Sequence, residues 1–295
     1  MNQDEILFFT TGIEIRIRFL GASLPWATWL DALHRHNQRI AQMKPRVFAL
    51  QFGGAVGTLA PLGLHGRKVA ERIAKRLKVE MPAVPWHTQR DRMAEMGCVL
   101  AMLVGTLGKM GRDVSLLMQS EVGEFFEPDG EGRGGSSTMP HKRNPISSAI
   151  LLSAATRVPG LVAALLSAAV QEHERGLGGW HAEWETMTEV FRLAGGAMHH
   201  ALGIAEGGSV DAAAMQRNLD LLGGVPMAET VSYAVAAKLG KMRAHGILEK
   251  ASRRAVSRPP LALIALMVSS TTFHRCTRSP ALPTPPSLDC EEGGW

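Results

Sequence analysis

Between Gln89 and Glu121 the apolar residues Met93, Met96, Leu100, Leu103, Leu107, Met110, Val114 and Leu117 recur in alternating steps of three and four. This spacing lays one unbroken stripe along a helix more than thirty residues long. Gly97, Gly105, Gly108 and Gly111 fall inside it, and each costs about 1 kcal/mol against Ala in a helix. Tertiary packing must therefore hold the helix, and the missing side chains would admit a neighbour closely. A second stripe over 181–206 places Trp184, Met187, Val190, Phe191, Ala194, Met198 and Ala201 on one face. Residues 146–171 are the most apolar stretch and read as a buried bundle helix. Shorter helices are predicted at 27–43, 67–78, 211–222, 226–239 and 241–256. Helices as long as 91–121, 146–171 and 181–206 do not suit a compact mixed fold; they predict an all-α, elongated helical bundle.

The ends are patterned differently. Residues 1–26 carry a β-like string, Ile13-Glu14-Ile15-Arg16-Ile17-Arg18, before an amphipathic helix begins near Trp26. Residues 258–295 hold six of the sixteen prolines, an isolated apolar run at 261–268, and Ser, Thr and Pro clusters, a composition that resists packing. The organisation read from the chain is an N-terminal segment 1–26, a helical domain 27–257 containing a loop at 123–145, and a tail 258–295. The abrupt changes near 26 and 257 are those expected of flanks translated in an altered reading frame.

Composition agrees with helices. Apolar residues make up 45% of the 295, enough for a substantial core, while aromatics are only 5% with a single Tyr. The formal charge is +5. Lys and Arg are dispersed without aromatic interleaving, so no nucleic-acid partner is expected. Cys98, Cys276 and Cys290 are widely spaced and contain no CxxC, which argues against a disulfide framework or zinc site and fits a reducing cytoplasm. No signal-peptide pattern opens the chain. Arg157 and Pro159 interrupt 146–170, so no membrane partner is expected either.

The densest chemistry lies in Gly134-Gly135-Ser136-Ser137-Thr138-Met139-Pro140-His141-Lys142-Arg143-Asn144-Pro145. Its glycines permit close approach to a ligand, and its two prolines forbid a continuous helix. Ser136 or Ser137 would carry a proton once activated, while Lys142 and Asn144 would hold charge developing beside a carboxylate. Gly130, Gly132 and Gly135 also satisfy G-x-G-x-x-G, but a helical pattern precedes them and Pro140 follows, so the strand–turn–helix setting of a dinucleotide site is missing. No cofactor is expected. Two further segments suit an anion. The glycine-dense turn Gln51–Thr58 would expose backbone N–H groups. In Trp86-His87-Thr88-Gln89-Arg90-Asp91, Thr88 would cap the long helix and Arg90 would occupy its first turn. Neither His34/His36 nor His199/His200 has the i, i+4 spacing for two ligands on one helical face, and no HExxH occurs, so no metal is expected.

The string Gly-Ser-Ser-x-Met-Pro-x-Lys-x-Asn-Pro resembles the active-site loop of the fumarase/aspartase superfamily, which adds or eliminates across a carbon–carbon bond beside a carboxylate. That resemblance assigns proton transfer to Ser136 and carboxylate binding or intermediate stabilisation to Lys142 and Asn144. Together with Gln51–Thr58 and Trp86–Arg92 it is sharpest toward the cycloisomerase branch, and it runs from about Pro25 to Val256. It implies substrate contacts at His87, Thr88, Gln89, Arg90, Ser137, Met139, His141 and, with Glu172, Trp180, Glu183 and Trp184 nearby, at Arg175. It further implies a small polycarboxylate substrate, a homotetramer, and a site built from three subunits. The expected reaction is intramolecular addition of a carboxylate to a double bond of a carboxylated cis,cis-muconate in aromatic catabolism, needing no cofactor. Many relatives carry a glutamate seven residues after the signature lysine; here that position is Ala149, which favours the cycloisomerase branch over an adenylosuccinate- or argininosuccinate-type C–N lyase. The superfamily's two upstream segments have no match in residues 1–26, which predicts impaired turnover and keeps a non-catalytic fragment as a competing expectation.

Overall fold

A computed structural model of the chain describes residues 24–129, 139, 142–221 and 228–257; the segments 1–23 and 258–295 lie outside them. The fold is all-α. Helix α1 spans Leu24–Val47, α2 Gly66–Leu77 after a short 3-10 segment Ala60–His65, and α3 Asp91–Leu117. Then follow α4 at Ile146–Ala168, α5 at Gly179–Gly207, α6 at Ala212–Leu221, α7 at Ala228–Leu239 and α8 at Lys241–Ser257. A two-residue strand β1, Phe125–Phe126, pairs antiparallel with β2, Ser209–Val210. The chain divides into two compact units at Asp211/Ala212.

In the first unit α3 packs against α1, α4 and α5. Its sequence stripe is the core: Leu100, Leu103, Leu107, Met110 and Val114 are buried, with Met93, Met96 and Leu117 at the margins. The glycines explain how α4 comes so near. A Cβ on Gly108 would lie 2.4 Å from Ala155 Cβ, and one on Gly111 would lie 2.9 Å from Leu151 Cβ and 3.1 Å from the Ser148 carbonyl oxygen. Gly105 has nothing within 4 Å. These contacts pair rising numbers on α3 with falling numbers on α4, so the two helices are antiparallel. α4 and α5 are also antiparallel, because Arg157 meets Glu189 while Ser147 meets His200. α3 ends earlier than its pattern predicts: Gly123, at φ 60°, donates its N–H to the Gln119 carbonyl at 2.8 Å and turns the chain toward β1.

The buried stripe of α5 differs from the predicted one. Trp184 and Phe191 are 56% and 48% exposed, and the core face is Glu183, Met187, Val190, Ala194, Ala197, Ala201 and Ile204. Pro159 is tolerated within α4 on its exposed side, between buried Val158 and Val162. By length and composition α3 and α4 are both apolar enough to cross a membrane, yet only 44% and 28% of their apolar windows are buried in the bundle. Much of α4 is thus an uncovered apolar surface.

Polar groups lock the bundle at its joints. His36 accepts from Arg39 at Nδ1 (3.4 Å) and, as the Nε2–H tautomer, donates to Thr106 Oγ1 (2.8 Å), whose hydroxyl bonds the Met102 carbonyl at 3.3 Å. Burial, with Arg39 and Arg35 adding to it, pushes the imidazole down from 6.5 to about 4. The second unit has its own small core of Val235, Ala244, Leu248 and Ala251 where α7 meets α8.

Candidate active site

At the end of the bundle where α3 and α5 begin, the segment Trp86–Arg90 is tied to several distant parts of the chain. Arg90, 7% exposed, meets Glu183, 3% exposed, through a bidentate pair in which Nε donates to Oε1 at 2.8 Å and Nη2 to Oε2. Its Nη1 also donates to the His87 carbonyl at 3.0 Å. Thr88 Oγ1 donates to the His173 carbonyl at 2.6 Å, and His173 has the uncommon φ of 44°. Trp86 Nε1 donates to the Leu50 carbonyl at 3.1 Å. Gln171 reaches both the Ala168 carbonyl and Glu183, at 3.1 and 3.4 Å.

Arg175 joins these parts. Its Nε and Nη2 donate to the carbonyls of Ala55 and Gly54 at 2.6 and 3.0 Å, and its Nη1 lies 3.2 Å from His87 Nε2. The Arg175 guanidinium lies 5.9 Å from the centre of the Trp180 ring, which stands edge-on to His87 at 4.8 Å. Among the described residues no carboxylate pairs with Arg175, which is exposed. Burial first, then Arg175 and Arg90, push the His87 imidazole below its ordinary value, with Glu183 opposing. The result is a neutral ring beside an uncompensated cation, suited to a carboxylate.

Two expectations are corrected here. Thr88 does not cap the long helix: α3 begins at Asp91, Arg90 is the N-cap without a side-chain cap bond, and Thr88 turns to His173 instead. Arg90 therefore precedes the first turn, and its charge is directed at Glu183. The 51–58 turn presents two of its carbonyls to Arg175. Gly54, at φ 74°, takes a conformation that favours glycine, and both its carbonyl and that of Ala55 face the guanidinium. Gln89 is exposed, its backbone N–H bonding the Trp86 carbonyl at 3.1 Å.

The signature residues are elsewhere. Lys142 and Met139 are exposed and Asn144 is half-buried, just before α4; the Lys142 N–H bonds the Met139 carbonyl at 3.0 Å. Ser136, Ser137 and His141 lie outside the described residues. Beside this end is a cleft of about 340 Å³ lined by Pro128, Ser147, His199, His200 and Glu206 among others, with His200 Nδ1 3.2 Å from Ser147 Oγ. The first cluster adjoins the last turn of α4 through Gln171, and the second precedes its first turn. A helix from Ile146 to Ala168 separates them by about 33 Å at 1.5 Å per residue. Among the described residues, one copy does not bring Lys142 and Asn144 to Arg175.

The sequence reading missed the role of Glu183 as the partner of Arg90. Its signal was available: Glu183, Met187, Val190, Ala194, Ala197 and Ala201 keep the three-and-four spacing that Trp184 and Phe191 break. A carboxylate on such a stripe needs a buried cation.

Comparison with known proteins places these features in context. Residues 22–160 match the profile of a lyase family. The chain is 57% identical over 227 residues to a 3-carboxy-cis,cis-muconate cycloisomerase of Pseudomonas aeruginosa, covering 77% of this chain and 50% of that one. The 3-carboxy-cis,cis-muconate lactonizing enzyme of Pseudomonas putida superposes with a TM-score of 0.76 at 51% identity, covering 85% of this chain and 55% of that one. The beta-carboxy-cis,cis-muconate cycloisomerase of Acinetobacter calcoaceticus superposes with a TM-score of 0.81 at 35% identity, covering 94% and 65%. The chain spans about half the length of the curated relatives it matches.

Proposed function

We propose that the chain, whose residues 22–160 match a lyase family, is a member of the fumarase/aspartase superfamily and acts as a cycloisomerase on 3-carboxy-cis,cis-muconate, giving a carboxymuconolactone in aromatic catabolism. One substrate carboxylate attacks an alkene carbon, the C–O bond forms, and the displaced π pair moves to the carbon beside a second carboxylate. Ser136 delivers a proton there and is reprotonated from solvent, so the trianion takes up one proton in becoming the lactone dianion. Lys142 and Asn144 stabilise the enolate-like charge in the meantime. Arg175, backed by neutral His87, binds a remaining carboxylate. The reaction is an isomerisation and consumes no oxidant or reductant.

One observation carries the assembly: the two groups of candidate residues sit at opposite ends of α4. A working site then needs a second copy to bring its signature loop to the Arg175 end, and the uncovered apolar face of α4 offers the surface for it. We place the protein as a cytoplasmic homotetramer, without nucleic-acid or membrane partners. The exposed Ala149, in the first turn of α4, favours this reading over a C–N lyase.

The test pairs light scattering with titration of 3-carboxy-cis,cis-muconate, followed by loss of its conjugated-diene absorbance. Saturable binding by a tetramer, with lactone formed, is the expected result. A monomer that binds nothing, or a protein that cleaves adenylosuccinate or argininosuccinate instead, would overturn it.

A further inference from the structure

The signature segment ends where α4 begins, and α4 lacks a cap of its own. Its N-cap is Pro145, which has no side-chain acceptor, so the first N–H groups of the helix need one from elsewhere. Glu127 supplies it. Its Oε2 accepts from the Ser147 N–H at 2.9 Å, and its Oε1 accepts from the Ser148 N–H at 2.7 Å and the Ser148 hydroxyl at 2.6 Å. Glu127 is 7% exposed and Ser148 fully buried. Three hydrogen bonds to one carboxylate at the positive end of a 23-residue helix form a strong, charge-assisted junction.

The junction's place in the chain gives it meaning. Glu127 lies just before the glycine-rich segment and Ser147 just after it, so one carboxylate closes the base of the whole signature loop. Weaker ties flank it: Arg143 lies 3.3 Å from Asp129 and 5.0 Å from the centre of the Phe126 ring, but that pair is exposed. On the upstream side Phe125 and Phe126 are fixed by pairing with Val210 and Ser209. Downstream, Lys142 and Asn144 stand five and three residues before Ser147, with Pro145 restricting φ between them.

We propose that Glu127 is a positioning residue: it clamps the two stems of the signature loop together and thereby sets where Lys142 and Asn144 stand. The roles of those two residues rest on the function proposed above; the clamp itself does not. A glutamine in its place would offer one acceptor oxygen and turn an amide N–H₂ toward a backbone donor.

The test uses the full chain and the variants Glu127→Gln and Ser148→Ala, the second removing only the hydroxyl bond. Amide exchange by mass spectrometry should quicken at least tenfold over 145–150 in Glu127→Gln and less in Ser148→Ala, with peptides from 91–117 and 179–207 within twofold of the parent. In the same samples the acylation rate of Lys142 by an amine-reactive ester should change, while that of Lys109 does not. A merely structural glutamate would raise exchange throughout the first unit, and that outcome overturns the proposal. Unchanged exchange at 145–150 in both variants overturns it as well. Should Glu127→Gln fail to fold, Ser148→Ala still decides through the local exchange and the Lys142 rate. Titration with 3-carboxy-cis,cis-muconate is run alongside. Loss of local exchange protection without any binding in the parent would sustain the clamp and refute the function, and the reverse pattern would refute the clamp alone.

Discussion

Replacing Glu183 with Ala strands the Arg90 guanidinium at a site where it is 7% exposed. Breaking a buried ion pair by removing one partner costs about 3–5 kcal/mol, because the surviving charge has lost its compensation and cannot regain water. Arg90 retains its bond to the His87 carbonyl at 3.0 Å, which holds the expected cost toward the lower part of that range. With a urea slope of about 2 kcal/mol/M, the midpoint of the first unit should fall by about 1.5 M at fixed protein concentration. Unfolding followed by tryptophan emission reports on this region, since Trp86, Trp180 and Trp184 cluster around it. The double variant Arg90→Met/Glu183→Leu is the control. With both charges gone it should recover most of the loss, costing less than about 2 kcal/mol. If Glu183→Ala costs no more than about 1 kcal/mol, the pair behaves as an exposed one, and the account of Arg90 as a buried structural tie fails.

Arg175→Met should release the 51–58 turn, whose Gly54 and Ala55 carbonyls it holds, and weaken tricarboxylate binding at least tenfold by calorimetry, as expected for loss of a charged contact worth about 1.5–3 kcal/mol. His36 takes up a proton less readily folded than unfolded, so its contribution is present above pH 6.5 and is lost as pH falls from 6.5 toward about 4. That loss amounts to about 3 kcal/mol and should flatten in His36→Gln, as read from urea midpoints across that range. Gly108→Ala should destabilise by about 1–3 kcal/mol through overpacking against Ala155. Gly105→Ala, facing open space, should stabilise by up to about 1 kcal/mol in thermal melts.

Much of the fold was legible because the periodic signal is strong where burial is strong. Leu100, Leu103, Leu107, Met110 and Val114 were read from spacing and are the core of α3. Spacing failed where bulk was mistaken for burial: Trp184 and Phe191 are large but face outward, and the small Ala194, Ala197 and Ala201 fill the seam. Of the candidate residues named from the sequence, His87, Arg90 and Arg175 lie together in the structure, but how they are arranged was not legible. Thr88 has a capping side chain, yet the helix starts three residues later, and no local pattern foretells a hydroxyl bonding to His173, 85 positions away. The sign of the 51–58 turn was also hidden, because a glycine's composition does not say whether its N–H or its carbonyl will face a ligand. The separation of Arg175 from Lys142 follows from the length of α4 between them, whereas the meeting of Arg175 with His87 follows only from the antiparallel course of the bundle.

That course also dictates an order of events as the chain acquires its shape. Successive helices pair with their nearest predecessors: α3 with α4, then α4 with α5. Such contacts join stretches of chain nearer in sequence and form sooner. The ties that build the Arg90 end span far more chain, 93 residues for Arg90 to Glu183 and 120 for Arg175 to Ala55. The Arg90–Glu183 pair can close only after α5 has been laid against its neighbours. A nascent chain would thus own its hydrophobic bundle well before its Arg90–Glu183 corner, and any delay in docking α5 would postpone that corner without dissolving the α3–α4 pair beneath it.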